Sequence, residues 1–202
     1  MQFLHNIQHR LLGNVLYKFS LIFCSLYVVL FFGKIESAKL LFYLFISMLL
    51  SIGIAGIGYA FNDIKDYKND VQNNKQNLFI NYSKIQSIFL VILFIICAVF
   101  PWFYLPFDKI SCYLLTIEFV LFFIYAFPPF RLKERGLLGV ITDSLYAQVV
   151  PCLLAVYTFS KLGNLNINLY FIVLYASWLF IAGIRNIIKH QIEDFENDKK
   201  TS

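Results

Sequence analysis

Apolar residues in this chain come in runs of about twenty, the length a helix needs to cross a bilayer, and short polar stretches separate them. Six such runs are predicted as transmembrane helices: Leu11–Phe32, Leu40–Phe61, Ile85–Leu105, Ile110–Phe127, Leu137–Phe159 and Leu169–Ile188. The sixth is interrupted near its end by Arg185 and Asn186. Two of the polar stretches, after the second and sixth runs, are dense in carboxylates, and a third, after the fourth run, is basic. The expected fold is an all-α integral membrane protein, one transmembrane domain over 1–202, with polar motif segments at 62–77, 128–136 and 190–198.

Composition sharpens this reading. Of 202 residues, 59% are hydrophobic and 14% charged, against about 25% charged in a soluble domain. Cys24, Cys97, Cys112 and Cys152 all lie inside apolar runs without ligand-like spacing, so they read as packing residues. The first run is too long for a cleavable signal and lacks a small-residue cleavage site, so a retained span is expected. Lys34, Lys39, Lys109 and Lys161 fall on one side of the predicted membrane, and the other thirteen of the seventeen Lys and Arg fall on the side of the amino terminus. That asymmetry predicts both termini in the cytoplasm. It accounts for the net charge of +5 without a nucleic-acid partner. The expected location is the cytoplasmic membrane of a bacterium, with lipid as the surrounding partner.

The first acidic stretch is Asn62-Asp63-Ile64-Lys65-Asp66-Tyr67-Lys68-Asn69-Asp70. On a helix, Asp63, Asp66 and Asp70 share a face at i, i+3 and i+7, and Asn62, Asp66 and Asp70 form an overlapping ladder at i+4. Stacked like charges weaken a helix unless a cation compensates them. Hard oxygen donors favour Mg²⁺, which takes one or two protein carboxylates and completes its shell with water and phosphate oxygens. The bland alternative is a solvated loop with an acidic helix end.

The pattern recurs 128 residues later. Gln191, Asp194 and Asp198 repeat the i, i+3, i+7 spacing, and His190, Asp194 and Asp198 repeat the i+4 ladder. Both ladders follow an even-numbered run, as expected of two similar halves with a site at the repeat interface. Two ladders on one membrane face could hold two Mg²⁺ ions around one diphosphate. Between them, Pro128-Pro129 ends the fourth run, and Arg131, Lys133 and Arg135 follow. Arg grips phosphate bidentately and Lys adds a point charge, although a plain positive-inside loop has the same composition.

Three further residues stand out. Glu118 lies well inside the fourth run, on the helix face that carries Tyr125 seven residues later. A carboxylate there costs about 2.5–3.5 kcal/mol to insert, so it is expected to face the interior, either to guide or deprotonate an acceptor or as a protonated packing residue. Asp143 reads as an ion-pair partner of Arg131 or Lys133, or as an acceptor contact. Arg185 either reaches a phosphate or pairs with an acidic ladder.

The segments Asn62-Asp63-x-x-Asp66-x-x-x-Asp70, Tyr125…Pro128-Pro129-x-Arg131-Leu132-Lys133 and Asp194-x-x-x-Asp198 resemble the UbiA-type intramembrane prenyltransferases. The resemblance covers nearly the whole chain. It implies a helical membrane fold with a central cavity, and Mg²⁺-dependent transfer of a prenyl group from an isoprenoid diphosphate to an acceptor. By the match, Asn62, Asp66, Asp70, Asp194 and Asp198 hold the Mg²⁺–diphosphate. Arg131, Lys133 and Lys75 touch diphosphate oxygens, joined as substrate contacts by Asp63, Tyr125, Arg185, His190 and Gln191. Asp66, Asp194 and Glu118 are the expected catalytic residues. Members of the family usually continue for about three more helices, whereas Ser202 stands four residues past Asp198. The six runs therefore resemble the N-terminal two-thirds of that fold, and a homo-oligomer is one way to complete the cavity. Two other readings stay open: a short non-catalytic relative that binds isoprenoid diphosphate or assists a partner, and a cation transporter.

Overall fold

The computed structural model describes residues 23, 37–72, 75 and 77–201, with the side chains of 37, 38 and 193–201 left out of the description. The first predicted span, Leu11–Phe32, therefore lies outside the described residues except for Phe23. The described residues are almost wholly helical and contain no strand. Five helical stretches are long and apolar enough to cross a membrane, matching the other five predicted runs.

The chain divides into two compact units. The first holds residues up to Tyr113 together with Ala155–Asn166. Its centre is a pair of helices, α1 (Ser37–Gln72) and α2 (Lys84–Val99), packed side by side. The pairing depends on small residues that let backbones approach where lipid gives no hydrophobic drive. A Cβ added at Gly53 would lie 2.2 Å from the Ala98 amide nitrogen, and one at Gly56 would lie 2.4 Å from the Phe94 ring. Leu50, Ile54 and Ile57 of α1 and Leu90, Phe94 and Ala98 of α2 are buried there. Ser83 starts α2 with a reciprocal capping box: its hydroxyl accepts the Gln86 amide, and the Gln86 side chain accepts the Ser83 amide.

After α2 the chain passes through a 3-10 turn at Phe100–Phe103 and enters α3 (Lys109–Ala126). Asp108 opens α3 by accepting the amides of Ile110 and Ser111 at 3.0 and 3.2 Å, which satisfies orphan donors of the first turn. The Tyr157 hydroxyl also donates to Asp108, and Lys161 Nζ lies 3.5 Å from its Oδ2. The start of α3 is thereby tied to the far end of the span Leu137–Leu162.

The second unit comprises Leu114–Leu154 and Ile167–Ser202. A short wound connection, including the 3-10 turn Leu132–Glu134, leads from α3 to α4 (Leu137–Ser144). Helix α4 continues through a wide π turn, Leu145–Val149, into α5 (Val150–Leu162). The wide turn has a local cause. Pro151 has no N–H to donate and its ring crowds the preceding turn, and Val150 N–H reaches back five residues to Leu145 O. Helix α6 (Leu169–Thr201) packs against α4 and the π turn. Gly183 makes this approach feasible: a Cβ there would sit 2.8 Å from Ser144 Cβ and 3.2 Å from Gln148 Cγ.

Helix α1 does not stop at Phe61 as the apolar run suggests. At 1.5 Å per residue its 36 residues extend about 54 Å, well beyond a hydrocarbon core of about 30 Å. Its last eleven residues, Asn62–Gln72, contain the whole of the first acidic stretch, Asn62–Asp70. Helix α6 behaves alike, running 33 residues and carrying the second ladder on its final turns.

Candidate functional site

The face that the end of α1 turns inward is the polar one. Asp63 is buried, Asn62, Asp66 and Asp70 are half-buried, and Ile64, Tyr67 and Val71 are exposed on the opposite side. This inverts the usual amphipathic arrangement. It places a carboxamide oxygen and two carboxylates on one partly sheltered strip, successive members about 6 Å apart along the axis.

Asp63 and Asp70 are tied to the segment that follows the helix. Asp63 is 1% exposed, and its Oδ2 accepts the Leu78 amide at 2.7 Å. The Asn77 carboxamide donates to Asp63 O at 2.8 Å and to Asp70 Oδ2 at 2.7 Å. It also accepts the Phe79 amide at 3.0 Å. The Lys75 amide donates to Asp70 O at 2.9 Å, which brings Lys75 to the carboxylate end of α1, with its side chain exposed. Leu78 and Phe79 are buried and anchor the fold-back. Asp63, grouped from sequence with substrate contacts, thus has a main-chain partner of its own.

The donor set on α1 fits magnesium. Among the described residues no group of three or more His, Cys, Asp or Glu side chains is gathered as a metal cluster. Two carboxylates and a carboxamide are instead the sparse, hard set of an ion that keeps water and phosphate oxygens in its shell. Asn62, Asp66 and Asp70 would be its holders here. On α6 the main chain is helical through Asp194 and Asp198, which stand one turn apart, while their side chains lie outside the description. His190 and Gln191 are exposed, as is Arg185, which donates to Asn186 Oδ1 at 3.4 Å.

The basic segment is held in a fixed winding. Arg131 has φ 38° and ψ 55°, a left-handed conformation that costs an L-residue roughly 1–2 kcal/mol. Its amide donates to Phe127 O at 2.8 Å, and its Nε donates to Glu134 Oε1 at 2.6 Å. Arg135 donates to Pro129 O at 2.8 Å. Gly136 has φ 51° and ψ −114°, open to glycine alone among ordinary residues. Arg131 and Lys133 are both half-buried.

Deeper in the second unit, Glu118 is 2% exposed. It lies on the face of α3 that also carries Phe122 and Tyr125. Both of those rings pack edge-on against Tyr146 with centroids 5.0 Å apart. The Tyr146 hydroxyl donates to Asp143 Oδ1, three residues earlier. Tyr125 and Asp143, singled out from sequence, are therefore joined through Tyr146, which was not. Its one signal was an i+3 spacing from Asp143, too common to notice. Asn77 and Glu134 were missed for similar reasons.

The sequence profile of the UbiA prenyltransferase family matches residues 20–202. The chain belongs to the UbiA prenyltransferase family. No match was found among curated proteins or among solved structures. Membership gives this UbiA protein its general kind, a membrane-embedded prenyltransferase, and agrees with the helical spans described above.

Proposed function

We propose that this UbiA protein transfers a prenyl group from an isoprenoid diphosphate to an acceptor at the cytoplasmic face of the membrane, with Mg²⁺ as cofactor. The observation that carries the proposal is the inward, half-buried strip Asn62, Asp66 and Asp70 on a helix that runs on past its apolar part. A carboxylate strip sheltered on one helix face is costly by itself and becomes favourable when a cation bridges it to an anionic substrate.

In the reaction the prenyl C–O bond breaks, the electron pair leaves with diphosphate, a bond forms from the prenyl carbon to the acceptor, and the acceptor loses a proton. Bound Mg²⁺ supplies charge neutralisation of the leaving diphosphate. Asn62, Asp66 and Asp70 would hold the ion on α1, and Asp194 and Asp198 offer the same carboxylate chemistry on α6. Arg131, Lys133 and Lys75 donate to diphosphate oxygens, and the fixed winding of 128–136 orients the first two in advance. The Tyr125 and Tyr146 rings offer π faces to the developing carbocation and keep water away from it. Glu118 takes the acceptor proton.

Membranes containing the chain are incubated with radiolabelled isoprenoid diphosphates of several lengths, Mg²⁺ and a lipid extract as acceptor source, and the organic phase is assayed for labelled product. Wild type is expected to form product only when Mg²⁺ is present, and Asp66→Ala or Asp194→Ala to form none at normal expression. Undiminished turnover in both variants overturns the proposal.

A further inference from the structure

We propose that Asn77 is a positioning residue for Asp70: its carboxamide fixes the Asp70 side chain so that one oxygen is held by the protein and the other is presented to the metal-bound diphosphate. This inference rests on the function proposed above.

The argument starts from the complete use of one small group. A carboxamide has two N–H donors and an acceptor oxygen. Asn77 spends its two donors on Asp63 O at 2.8 Å and Asp70 Oδ2 at 2.7 Å. Its oxygen accepts the Phe79 amide at 3.0 Å. Two oxygens on one side and an N–H on the other determine which way the amide points, because the flipped group would face oxygen to oxygen and donor to donor. Asn77 is 7% exposed, so water does not compete for these bonds. It is clamped on three sides, and one of those clamps is the terminal carboxylate of the α1 ladder.

A neutral clamp suits this place. A lysine or arginine at position 77 would bind Asp70 more tightly but would neutralise the charge that attracts the cation. A carboxamide orients the carboxylate through Oδ2 and leaves its charge intact, with Oδ1 remaining for a ligand. Hydrogen bonds behind a metal-binding carboxylate are worth about 10–100-fold in metal affinity. Asn77 also pins the Asp63 carbonyl, and the Lys75 amide binds Asp70 O at 2.9 Å. The same clamp therefore sets where Lys75 emerges.

The test uses the whole protein in lipid nanodiscs. Mn²⁺ stands in for Mg²⁺, and radiolabelled geranyl thiodiphosphate serves as a non-reacting probe. Equilibrium dialysis gives the Mn²⁺ concentration for half-maximal probe retention, and thermal unfolding is followed separately on the same preparations. Asn77→Asp, of equal size but lacking donors and adding a like charge, is expected to raise that concentration at least tenfold. Asn77→Ala in an Asp70→Ala background is expected to add nothing further. Asn77→Ser is read in the same way if Asn77→Asp unfolds during purification. An unchanged Mn²⁺ requirement in folded Asn77 variants, or a shift fully additive with that of Asp70→Ala, overturns the positioning role while leaving the proposed function standing. Absence of Mn²⁺-dependent retention in wild type overturns both, a result recognisable before any variant is made.

Discussion

The carboxylate of Asp63 accepts the main-chain N–H of Leu78 at 2.7 Å, although Asp66, one turn further along the same helix, is half-exposed. One turn of α1 thus carries two acidic residues with different work. Asp63 closes the fold-back that follows the helix, and Asp66 stands half-buried on the Asn62–Asp70 strip.

This division predicts opposite outcomes for the same substitution. Asp63→Ala removes a buried, charge-assisted hydrogen bond and is expected to lower unfolding free energy by about 1.5–3 kcal/mol. Asp66→Ala is expected to cost less stability than Asp63→Ala while abolishing transfer. Thermal unfolding in detergent, run beside the product assay, separates them. Equal stability losses at both positions would contradict the division.

Tyr146 links α3 to α4 through two rings and a hydroxyl. Tyr146→Phe keeps the ring contacts with Phe122 and Tyr125 and removes the donor to Asp143. The expected cost is about 1–3 kcal/mol, the penalty for withdrawing a partner from a sheltered polar group. In a double-mutant cycle with Asp143→Asn, the combined loss should fall clearly short of the sum of the single losses. Strict additivity would mean the hydroxyl and carboxylate do not interact.

Arg131 combines a left-handed backbone with a candidate phosphate contact. Arg131→Gly relieves roughly 1–2 kcal/mol of backbone strain, which offsets the loss of the half-buried guanidinium's contacts, the pair with Glu134 among them. Stability is therefore expected to change little, while KM for the prenyl diphosphate rises several-fold. Such strain is retained where a side chain is needed in one place. Steady-state kinetics with varied donor, paired with thermal unfolding, checks both halves.

Asp108 gives the fold a pH dependence at the start of α3. The Tyr157 hydroxyl, the Ser111 and Ile110 amides and the Lys161 ammonium together hold its carboxyl below the ordinary carboxylate range, with the Tyr157 bond the largest influence. A carboxyl that is more acidic in the folded chain than in the unfolded one stabilises the fold above its unfolded pKa. That contribution fades as pH falls through the lowered folded value. Wild type is thus expected to be more stable than Asp108→Asn at neutral pH, and the two unfolding midpoints should converge as the medium becomes strongly acidic. A constant gap across the titration would exclude Asp108 as the titrating group.

How much of this was legible beforehand follows from the range of each interaction. Five spans could be read because lipid demands long apolar runs, and no tertiary information is needed to see them. Their ends were harder to place. Helix α1 continues to Gln72 because its polar turns are sheltered on the Asn62–Asp70 side, a fact that local polarity disguises. The carboxylate ladder itself is a local pattern and was visible. The Asn77 clamp was not, since it joins residues seven and fourteen positions apart across a reversal of the chain. The Tyr146 hydroxyl that donates to Asp143 was not legible either, since a tyrosine three residues along carries no charge signal. Pro151 lies unmarked within the fifth predicted run, and only the backbone reveals that the helix absorbs the proline by widening rather than by breaking.

That widening amounts to one surplus residue in the span Leu137–Leu162. A single extra residue advances everything beyond it by about 100° around the axis. Gln148 and the α5 residues after it consequently meet their neighbours out of phase with Leu137–Ser144. Shortening the chain by one residue between Leu145 and Val149 would restore a regular spiral at the cost of rotating half of that span, and Gln148 would swing away from Gly183.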